Sequence, residues 1–378
     1  MDFDFSPDQE LLRDSLRRFL ADHASIGGYV RPEFDRASTG DDEVWRGLAD
    51  IGVLGLLVPE EYGGAGRGLV DAAVVLEELG RIVCPAPFAS SAIAATSLVL
   101  AAGSRREHTF LLPGLADGST IGTVALHEPG RRYAWSEPET TAVADGEVWR
   151  LDGTKAHVAD GAAASLLLVT ARDSDERLGV FGVQGGTDGV AVEAVATVDG
   201  SRKWATVTLS GAVGRRLGAG EVEEIDVDGA VARTLDRLAV AYVVDGVGAA
   251  ARALELAVEY AKERVQFDKP IGAFQAIQHL CADMLRTVEL GRAAGYYASW
   301  AADDADPAEA HRAATLATAF GSEAFAQVGG SAIQVFGGIG FTWEHDIHLF
   351  YKRLLPLSVA LGTTDDHLAE LATLAIDA

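Results

Sequence analysis

Cysteine is scarce in this sequence. The 378 residues include two cysteines, Cys84 and Cys281, which lie far apart and show no metal-ligand spacing. This scarcity excludes a disulfide framework and predicts a reducing environment, so we expect a cytoplasmic protein.

Basic residues are scarce as well. Lys and Arg total 31 against 56 Asp and Glu, which leaves a formal net charge of −25 at pH 7. A chain this acidic is a poor partner for nucleic acid or for an anionic membrane surface. An anionic ligand would therefore need a local cluster of arginines or helix N-termini.

The sequence also lacks long apolar runs. None approaches the roughly 20 residues that a membrane helix needs, so we expect no membrane insertion. The first ten residues, MDFDFSPDQE, are acidic and have no apolar core, so we expect no signal peptide. The pattern G-x-S-x-G is missing, and no Gly-Lys-Ser/Thr follows the glycines of residues 63–68. These gaps exclude a hydrolase nucleophile elbow and a phosphate-binding loop.

Metal-type side chains occur together in one short run. Glu344, His345, Asp346 and His348 follow a glycine-rich stretch and open a predicted helix. Acids favour the dipole at that position, and no separate group of ligands accompanies them. We interpret the run as a solvated helix start and expect no metal.

The remaining pattern falls into three blocks. Residues 1–120 show helical apolar stripes and begin with a capping box, Ser6-Pro7-Asp8-Gln9. Residues 121–228 are rich in Val, Thr, Gly and Asp with short alternations, which predicts mainly antiparallel strands. Residues 229–378 return to helical spacing. We predict an α+β chain with an N-terminal helical domain, a central antiparallel β domain and a C-terminal helical bundle over these three ranges.

The stretch 230–280 organises the third block. Apolar residues recur at three- and four-residue steps over residues 235–261, which predicts one long helix. Asp245 is the single charged side chain in the middle of this helix, where an unpaired carboxylate is costly to bury. Pro270 ends the helical pattern, and a second helix is predicted from Phe274.

Two segments resemble a known family. The run from Glu263 to Gln275 reads ERVQFDKPIGAFQ and resembles the ER-x-x-F-G-x-x-I-x-x-F-Q segment of acyl-CoA dehydrogenases. The run from Gln334 to Phe341 reads QVFGGIGF and resembles their Q-x-x-G-G-x-G-aromatic motif. The resemblance extends over nearly the whole chain. It implies an α domain, a central β barrel-like domain and a C-terminal four-helix bundle.

The resemblance implies FAD as cofactor, held between the β domain and the C-terminal bundle and contacted in part by a neighbouring subunit. An arginine would neutralise the flavin pyrophosphate, and glycines would let backbone N–H groups approach a phosphate. Each feature alone also fits an ordinary helix end. The cofactor contacts carried over are Arg264, Phe267, Phe274, Gln275, Gln334, Gly337, Gly338 and Thr363 in the C-terminal block, and Leu126, His127, His157 and Ala159 in the β block.

The β block departs from the family pattern at three of these positions. His127 stands where the family has Thr, His157 where it has a flavin-stacking Trp, and Ala159 where it has a hydroxyl donor. These departures indicate a flavin that this chain holds less fully, or that a different subunit holds in part.

The resemblance implies a catalytic glutamate at one of two positions, and both carry leucine here. Leu361 stands in the place of the Glu of Y-E-G-T-x-x-Q, and Leu238 stands at the alternative position on the long helix. Asp245 lies two helical turns beyond Leu238 on the same face. It is the base, a buried acid satisfied by a neighbouring helix, or an exposed acid on a less buried face of the helix. Asp236, Leu238 and Tyr242 are the expected substrate contacts.

The implied activity is α,β-dehydrogenation of an acyl-CoA thioester by a FAD-dependent oxidoreductase of fatty acid or steroid side-chain metabolism. A carboxylate would remove the α proton, and an electron-transfer flavoprotein would accept the electrons. The assembly is expected to be a homo-oligomer or a hetero-oligomer with a homologous subunit, most simply a tetramer. Two alternatives stay open: a non-catalytic partner subunit of a heteromeric dehydrogenase, and a flavoprotein oxidase or biosynthetic relative on the same fold.

Overall fold

The structure is a computed structural model that describes residues 5–39, 42–131, 133–219 and 225–376. The chain forms two compact units. The helical unit comprises Met1–Arg31, Leu69–Cys84 and Ala239–Ala378, and the mixed unit comprises Pro32–Gly68 and Pro85–Leu238. The boundaries predicted after residues 120 and 228 stay predictions.

Helices flank one block of strands along the chain. The α-helices are α1 Pro7–His23, α2 Arg31–Phe34, α3 Glu43–Ile51, α4 Leu69–Arg81, α5 Thr96–Ala102, α6 Arg105–Ala116, α7 Val227–Glu263, α8 Gln275–Asp304, α9 Pro307–Phe336, α10 Ile347–Leu354 and α11 Thr364–Ile376. The strands are β1 Gly122–Ala125, β2 Thr141–Asp145, β3 Val148–Ala159, β4 Leu166–Arg172, β5 Leu178–Gln184, β6 Val190–Val195, β7 Trp204–Arg216, β8 Val265–Gln266 and β9 Lys269–Pro270. This order confirms the predicted α+β class.

The helical unit begins as the sequence predicts. The Ser6 hydroxyl accepts from the Gln9 N–H at 3.2 Å, and the Gln9 side chain accepts from the Ser6 N–H at 3.0 Å. This reciprocal capping box starts α1. Arg17 then pairs with the buried Glu78 of α4, with Nη2 and Oε1 2.6 Å apart. No helix in the described parts of the chain is long and apolar enough to cross a membrane.

The long predicted helix is α7, which spans 37 residues. It begins at Val227, two residues before the predicted Gly229, and ends at Glu263, well before Pro270. The chain leaves the helix early because residues 265–270 pair with each other as strands β8 and β9. Helices α8 and α9, of 30 residues each, pack against each other, and α10 and α11 pack against α9.

The mixed unit is built on a sheet of order β1-β4-β2-β3-β7-β5, with β6 paired to β7. Most pairings are antiparallel, as predicted, while β1 and β2 pair with β4 in parallel. The strand pattern predicted over residues 121–228 is wrong for the last residues of that range, because within the described residues the last strand of this sheet ends at Arg216 and α7 already starts at Val227.

Two kinds of helix follow each other over residues 89–102, within the predicted N-terminal helical domain. Ala89–Ala95 is a π-helix, and α5 follows it directly. In this wider turn the Ser91 carbonyl accepts from the Thr96 N–H and also, at 3.1 Å, from the Thr96 hydroxyl. A run of small, buried residues accommodates this geometry, which periodicity alone does not reveal.

Candidate cofactor and acyl-thioester site

The first family-like segment folds as a tight hairpin directly after α7. Strands β8 and β9 pair antiparallel, and Phe267 and Asp268 form the two-residue turn between them. Their φ angles of +54° and +60° correspond to the mirror-image turn that suits two-residue hairpins. A left-handed Phe is uncommon, and this ring is 86% exposed at the tip of the hairpin. The fold therefore presents Phe267 outward.

Arg264 lies at the base of this hairpin. Its N–H donates to the Tyr260 carbonyl at 2.8 Å, and its carbonyl accepts from the Ile271 N–H at 2.8 Å. Its side chain is exposed and forms no hydrogen bond or ion pair with any other residue that the structure describes. The backbone is fixed at this position, while the guanidinium is available to an anion.

The second family-like segment lies close to the first. Helix α9 ends at Phe336, whose ring stacks on Tyr260 with centroids 4.4 Å apart. Gly337 follows with a φ of +65°, and a Cβ added at Gly337 or Gly338 would meet no atom within 4 Å. Both glycines are exposed. A ligand can approach this backbone without obstruction from side chains.

Three further predicted cofactor contacts surround these segments. Phe274 is half-buried under Lys269, whose Nζ lies 4.3 Å from the ring centroid, and Gln275 and Gln334 are exposed. Thr363 differs, because its N–H and hydroxyl both donate to the Asp366 carboxylate, at 2.8 and 2.6 Å. Thr363 therefore caps α11, and that pairing competes with any cofactor contact by its side chain.

These features of the helical unit fit the diphosphate part of FAD. A free guanidinium can donate two parallel hydrogen bonds to phosphate oxygens, and open glycine backbone can add N–H donors. The exposed Phe267 ring and the half-buried Phe274 ring offer apolar contact. The donor set is therefore the kind that a dinucleotide needs.

In the mixed unit, Glu128 and Lys155 form a buried ion pair, with Nζ and Oε1 2.8 Å apart. The carboxylate also accepts from the Glu139 N–H at 2.6 Å and the Thr140 N–H at 2.9 Å, and the ammonium donates to the Thr170 hydroxyl at 3.2 Å. Burial would raise the pKa of Glu128, but its hydrogen bonds from Lys155 and Thr140 hold that pKa at about 2. Burial lowers the pKa of Lys155 to about 8, so the pair is charged at neutral pH.

This pair holds the segment that carries Leu126 and His127. Leu126 is buried, and the His127 carbonyl accepts from the Ala156 N–H on β3 at 2.9 Å. The His127 ring lies edge-on to Tyr133 with centroids 6.0 Å apart. Burial, followed by the nearby His157 and Lys155, lowers the pKa of His127 to about 4. His127 is therefore a neutral imidazole at physiological pH, with one donor and one acceptor nitrogen.

A bulge in β3 presents His157 to solvent. The pairing of β3 with β7 shifts register between Lys155 and Val158, and His157 has a φ of +51°. His157 is exposed while Lys155 and Val158 are buried. Bulges re-aim side chains in this way. Ala159 is half-buried, and its carbonyl accepts from the Thr123 hydroxyl at 2.6 Å.

The helical unit contains a pocket beside α7. No charged side chain is among the described residues that line it. The hydroxyl groups of Thr318 and Ser322 in its lining already donate to carbonyls of their own helix at 2.8 and 2.6 Å. The lining includes Tyr242, Val243, Phe325, Leu357, Ala360 and Leu361. The pocket thus includes the predicted substrate contact Tyr242 and the leucine that replaces the family's glutamate.

Asp245 does not line this pocket. Its carboxylate receives two hydrogen bonds from Arg353, Nε to Oδ2 at 3.0 Å and Nη2 to Oδ1 at 2.9 Å, and both side chains are buried. The ion pair corresponds to the structural alternative of an acid satisfied by a neighbouring helix. Its role as the base stays a prediction, and the pair weighs against it because a carboxylate held by a guanidinium is a weakened proton acceptor.

The other predicted substrate contacts, Asp236 and Leu238, lie on the part of α7 assigned to the mixed unit. Asp236 is half-buried and Leu238 is buried.

No group of three or more His, Cys, Asp or Glu residues that could hold a metal ion occurs in the described ranges.

Sequence reasoning missed Arg353 and the Glu128–Lys155 pair. In the sequence, nothing distinguishes Arg353 from other basic residues near a helix end. Its partner Asp245 lies 108 residues away along the chain. A usable signal existed for Lys155, which is a lone charge between buried strand positions. Glu128 directly follows the predicted cofactor contact His127, but the sequence does not show that its side chain meets that of Lys155.

Family models match almost the whole chain. The acyl-CoA dehydrogenase N-terminal domain matches residues 6–119, the middle domain matches 123–211, and the C-terminal domain matches 229–374. The matched ranges follow one another in the order of the three predicted blocks.

Individual relatives agree with these matches. The chain is 33% identical over 347 residues to acyl-CoA dehydrogenase IpdE2 of Mycobacterium tuberculosis, which covers 92% of this chain and 90% of that protein. A structure described as a variant of the Tcur3481-Tcur3483 steroid ACAD has a TM-score of 0.87 at 34% identity and covers 98% of each chain. The ChsE4-ChsE5 complex from Mycobacterium tuberculosis matches with a TM-score of 0.88 at 27% identity and covers 100% of each chain.

Proposed function

The chain belongs to the acyl-CoA dehydrogenase family and is a FAD-dependent oxidoreductase; we propose that it engages FAD and an acyl-CoA thioester through the residues described above. FAD, when bound, supplies the two-electron oxidising capacity of the reaction. The observation that carries the residue assignment is the unpaired Arg264 guanidinium just after α7 and the open backbone of Gly337 just after α9, at two helix ends joined by the stacked Tyr260 and Phe336 rings. Such an arrangement suits a diphosphate.

Each group has a distinct task in this proposal. Arg264 and the N–H groups of Gly337 and Gly338 bind the diphosphate, and Phe267 and Phe274 contact its apolar neighbours. In the mixed unit, the neutral His127 ring donates or accepts a hydrogen bond where the family has a hydroxyl. The apolar pocket at Tyr242 excludes water from the acyl group.

The α proton of the thioester must be taken by a carboxylate, and the chain offers one predicted candidate, Asp245. The pocket itself presents Leu361 in place of an acid. Asp245 could act only by leaving its bidentate pair with Arg353, which would leave a buried guanidinium without its counter-charge.

That observation favours a second candidate function beside the first. This chain is then the cofactor- and substrate-binding partner of a homologous subunit, and the partner contributes the carboxylate. An assembly of two different chains occurs in one of the structural neighbours, the ChsE4-ChsE5 complex. The reaction is the same in both candidates, and only the source of the base differs.

A spectroscopic experiment separates these candidates. The chain is expressed alone, its flavin content is read from the absorption spectrum, and an acyl-CoA is added without oxygen. Bleaching of bound flavin supports the first candidate. Flavin binding or bleaching that requires a co-expressed, carboxylate-bearing homologue supports the second. Oxygen-dependent turnover with peroxide release would make the chain an oxidase and overturn both.

We also propose that the acceptor is an electron-transfer flavoprotein, that the substrate belongs to fatty acid or steroid side-chain metabolism, and that the protein works in the cytoplasm. The assembly contains at least two chains and most simply four. The two-chain composition of the ChsE4-ChsE5 structural neighbour supports this proposal. Light scattering tests it, and a monomer that holds stoichiometric FAD would contradict it.

A further inference from the structure

The segment that follows α10 forms one wall of the pocket. We call residues 355–361 the pocket strap; it contributes Leu357, Ala360 and Leu361 to the lining. The strap is a 3-10 turn from Leu355 to Ser358 and irregular after it. Such a segment has few backbone hydrogen bonds of its own, so its position depends on what holds its ends.

Arg353 lies two residues before the strap and anchors that end. Its guanidinium forms the bidentate pair with Asp245, and Nη2 also donates to the Cys84 carbonyl at 3.2 Å. One side chain therefore connects the end of α10 to α7 and to the segment after α4. The planar fork fixes both distance and angle, which a single point charge does not.

Gly246, the residue of α7 that follows Asp245, shows how closely the pocket strap packs against this helix. A Cβ added at Gly246 would lie 2.7 Å from the Leu357 side chain and 2.8 Å from the Phe325 ring. Both of these side chains line the pocket. The strap therefore packs against α7 at the residue next to Asp245.

We infer that Asp245 and Arg353 are a positioning pair that holds the pocket strap against α7 and so sets the shape of the pocket for the acyl part of a thioester, an inference that rests on the proposed function for the identity of that ligand. Asp245 need not reach the reacting atoms in this role. Its carboxylate acts on the pocket through Arg353 and Leu357.

The test uses three variants of the full chain. Asp245→Asn and Arg353→Met each break the pair, and the double variant Asp245→Leu with Arg353→Met removes both charges. Arg292→Met is the matched control, because Arg292 pairs with Glu77 of α4 at 3.1 Å within the same unit and does not line the pocket. Hydrogen exchange of residues 355–361 and the dissociation constant of an acyl-CoA thioester, measured without turnover, are read for each variant.

We expect each variant of the pair to exchange faster in the strap and to bind the thioester about tenfold more weakly or worse, because a buried charge loses its partner or the fork is lost. The control should lose stability while strap exchange and affinity stay as in the wild type. The double variant keeps the test decisive if the single variants do not fold. A folded double variant with wild-type strap exchange and affinity would overturn the inference, as would equal changes in the control. A wild-type chain that binds no acyl-CoA thioester would instead refute the proposed function, and faster strap exchange in the pair variants would still support the positioning role.

Discussion

The helical unit treats its charged side chains in two opposite ways. Arg264, at the hairpin, is exposed and has no partner among the described residues. Arg353, in the interior, is 6% exposed at its side chain and bound in a fork to Asp245. In the mixed unit, Lys155 and Glu128 repeat the interior arrangement. The exposed, unpaired Arg264 can still bind an anionic ligand, whereas Arg353 and Lys155 are already paired with carboxylates inside the protein.

This contrast distinguishes the residues that were predicted from the family motifs from the one that was predicted from its charge alone. The positions that match the family's cofactor motifs, such as Arg264 and Gly337, present unused donors. Asp245, in contrast, was singled out because it is a lone acid in an apolar helix, which is equally the signature of one member of a buried ion pair. A lone carboxylate in an apolar stretch of sequence therefore predicts a buried side chain, but it does not by itself predict a catalytic one.

Breaking an interior pair should have the largest effect on folding. Lys155→Met leaves the Glu128 carboxylate buried without its counter-charge, so we expect a loss of about 3–5 kcal/mol in the free energy of unfolding. Chemical denaturation measures it. Adding Glu128→Gln to Lys155→Met should recover part of the loss, since no charge then remains buried. Wild-type stability in the single variant would show that the pair contributes nothing.

Removing the exposed charge should spare the fold and weaken the cofactor. Arg264→Ala loses a charge-assisted hydrogen bond worth roughly 1.5–3 kcal/mol, which corresponds to a roughly 10- to 150-fold weaker affinity for FAD. Its thermal midpoint without FAD should stay unchanged. Lys262→Ala, an exposed cation two residues earlier, is the control and should bind FAD normally. Unchanged FAD affinity in a folded Arg264→Ala protein would refute the diphosphate assignment.

Acid should disrupt the Glu128 pair over a defined range of pH. The pKa of Glu128 is about 2, below its ordinary 4.5, so the unfolded chain binds this proton more readily. The stabilisation is complete above pH 4.5 and is lost as the pH falls toward 2. Glu128→Gln should flatten the dependence of unfolding free energy on pH in that window, measured by denaturant titration. An identical slope in the variant would contradict the assignment.

Acid should also act through His348, whose two ring nitrogens are buried without hydrogen-bond partners among the described residues. Burial, then the charges of Lys352 and Arg31, lowers its pKa from 6.5 to about 4. A histidine with a lowered pKa costs no stability above pH 6.5 and reduces stability as the pH falls toward 4, because the unfolded chain takes up the proton first. His348→Phe should remove one proton from this linkage, seen as a shallower slope between those pH values. His127 contributes to the same window and stays in the variant.

Much of the fold was predictable because it depends on local signals. The capping box at Ser6 and the long apolar spacing of α7 each determine their own element, and both are found where the sequence indicates. The hairpin turn at Phe267 and the π-helix at Ala89–Ala95 were not predicted, because no Gly or Asn-Gly marks the first and periodicity does not distinguish the second from an α-helix.

The candidate site residues differ in the same way in how far the sequence predicts them. Arg264 and Gly337 are predicted cofactor contacts because they lie in motifs that are contiguous in sequence. The partners of Asp245 and Lys155 come from other elements, 108 and 27 residues away along the chain, and only the fold brings them together. Sequence can therefore nominate a buried charge, but the element packed against it decides whether that charge is available.

The most direct test of this account measures flavin reduction without the Asp245 carboxylate. The Asp245→Leu/Arg353→Met variant and the wild type, each loaded with FAD and with any partner subunit that it requires, are mixed with saturating acyl-CoA in the absence of oxygen. Saturation removes differences in affinity, so the limiting rate reports proton abstraction. We predict limiting rates that agree to within a few-fold. A folded, FAD-loaded variant slower by about 10²–10⁴-fold, the contribution expected of a general base, would show that Asp245 is the base and contradict the positioning role.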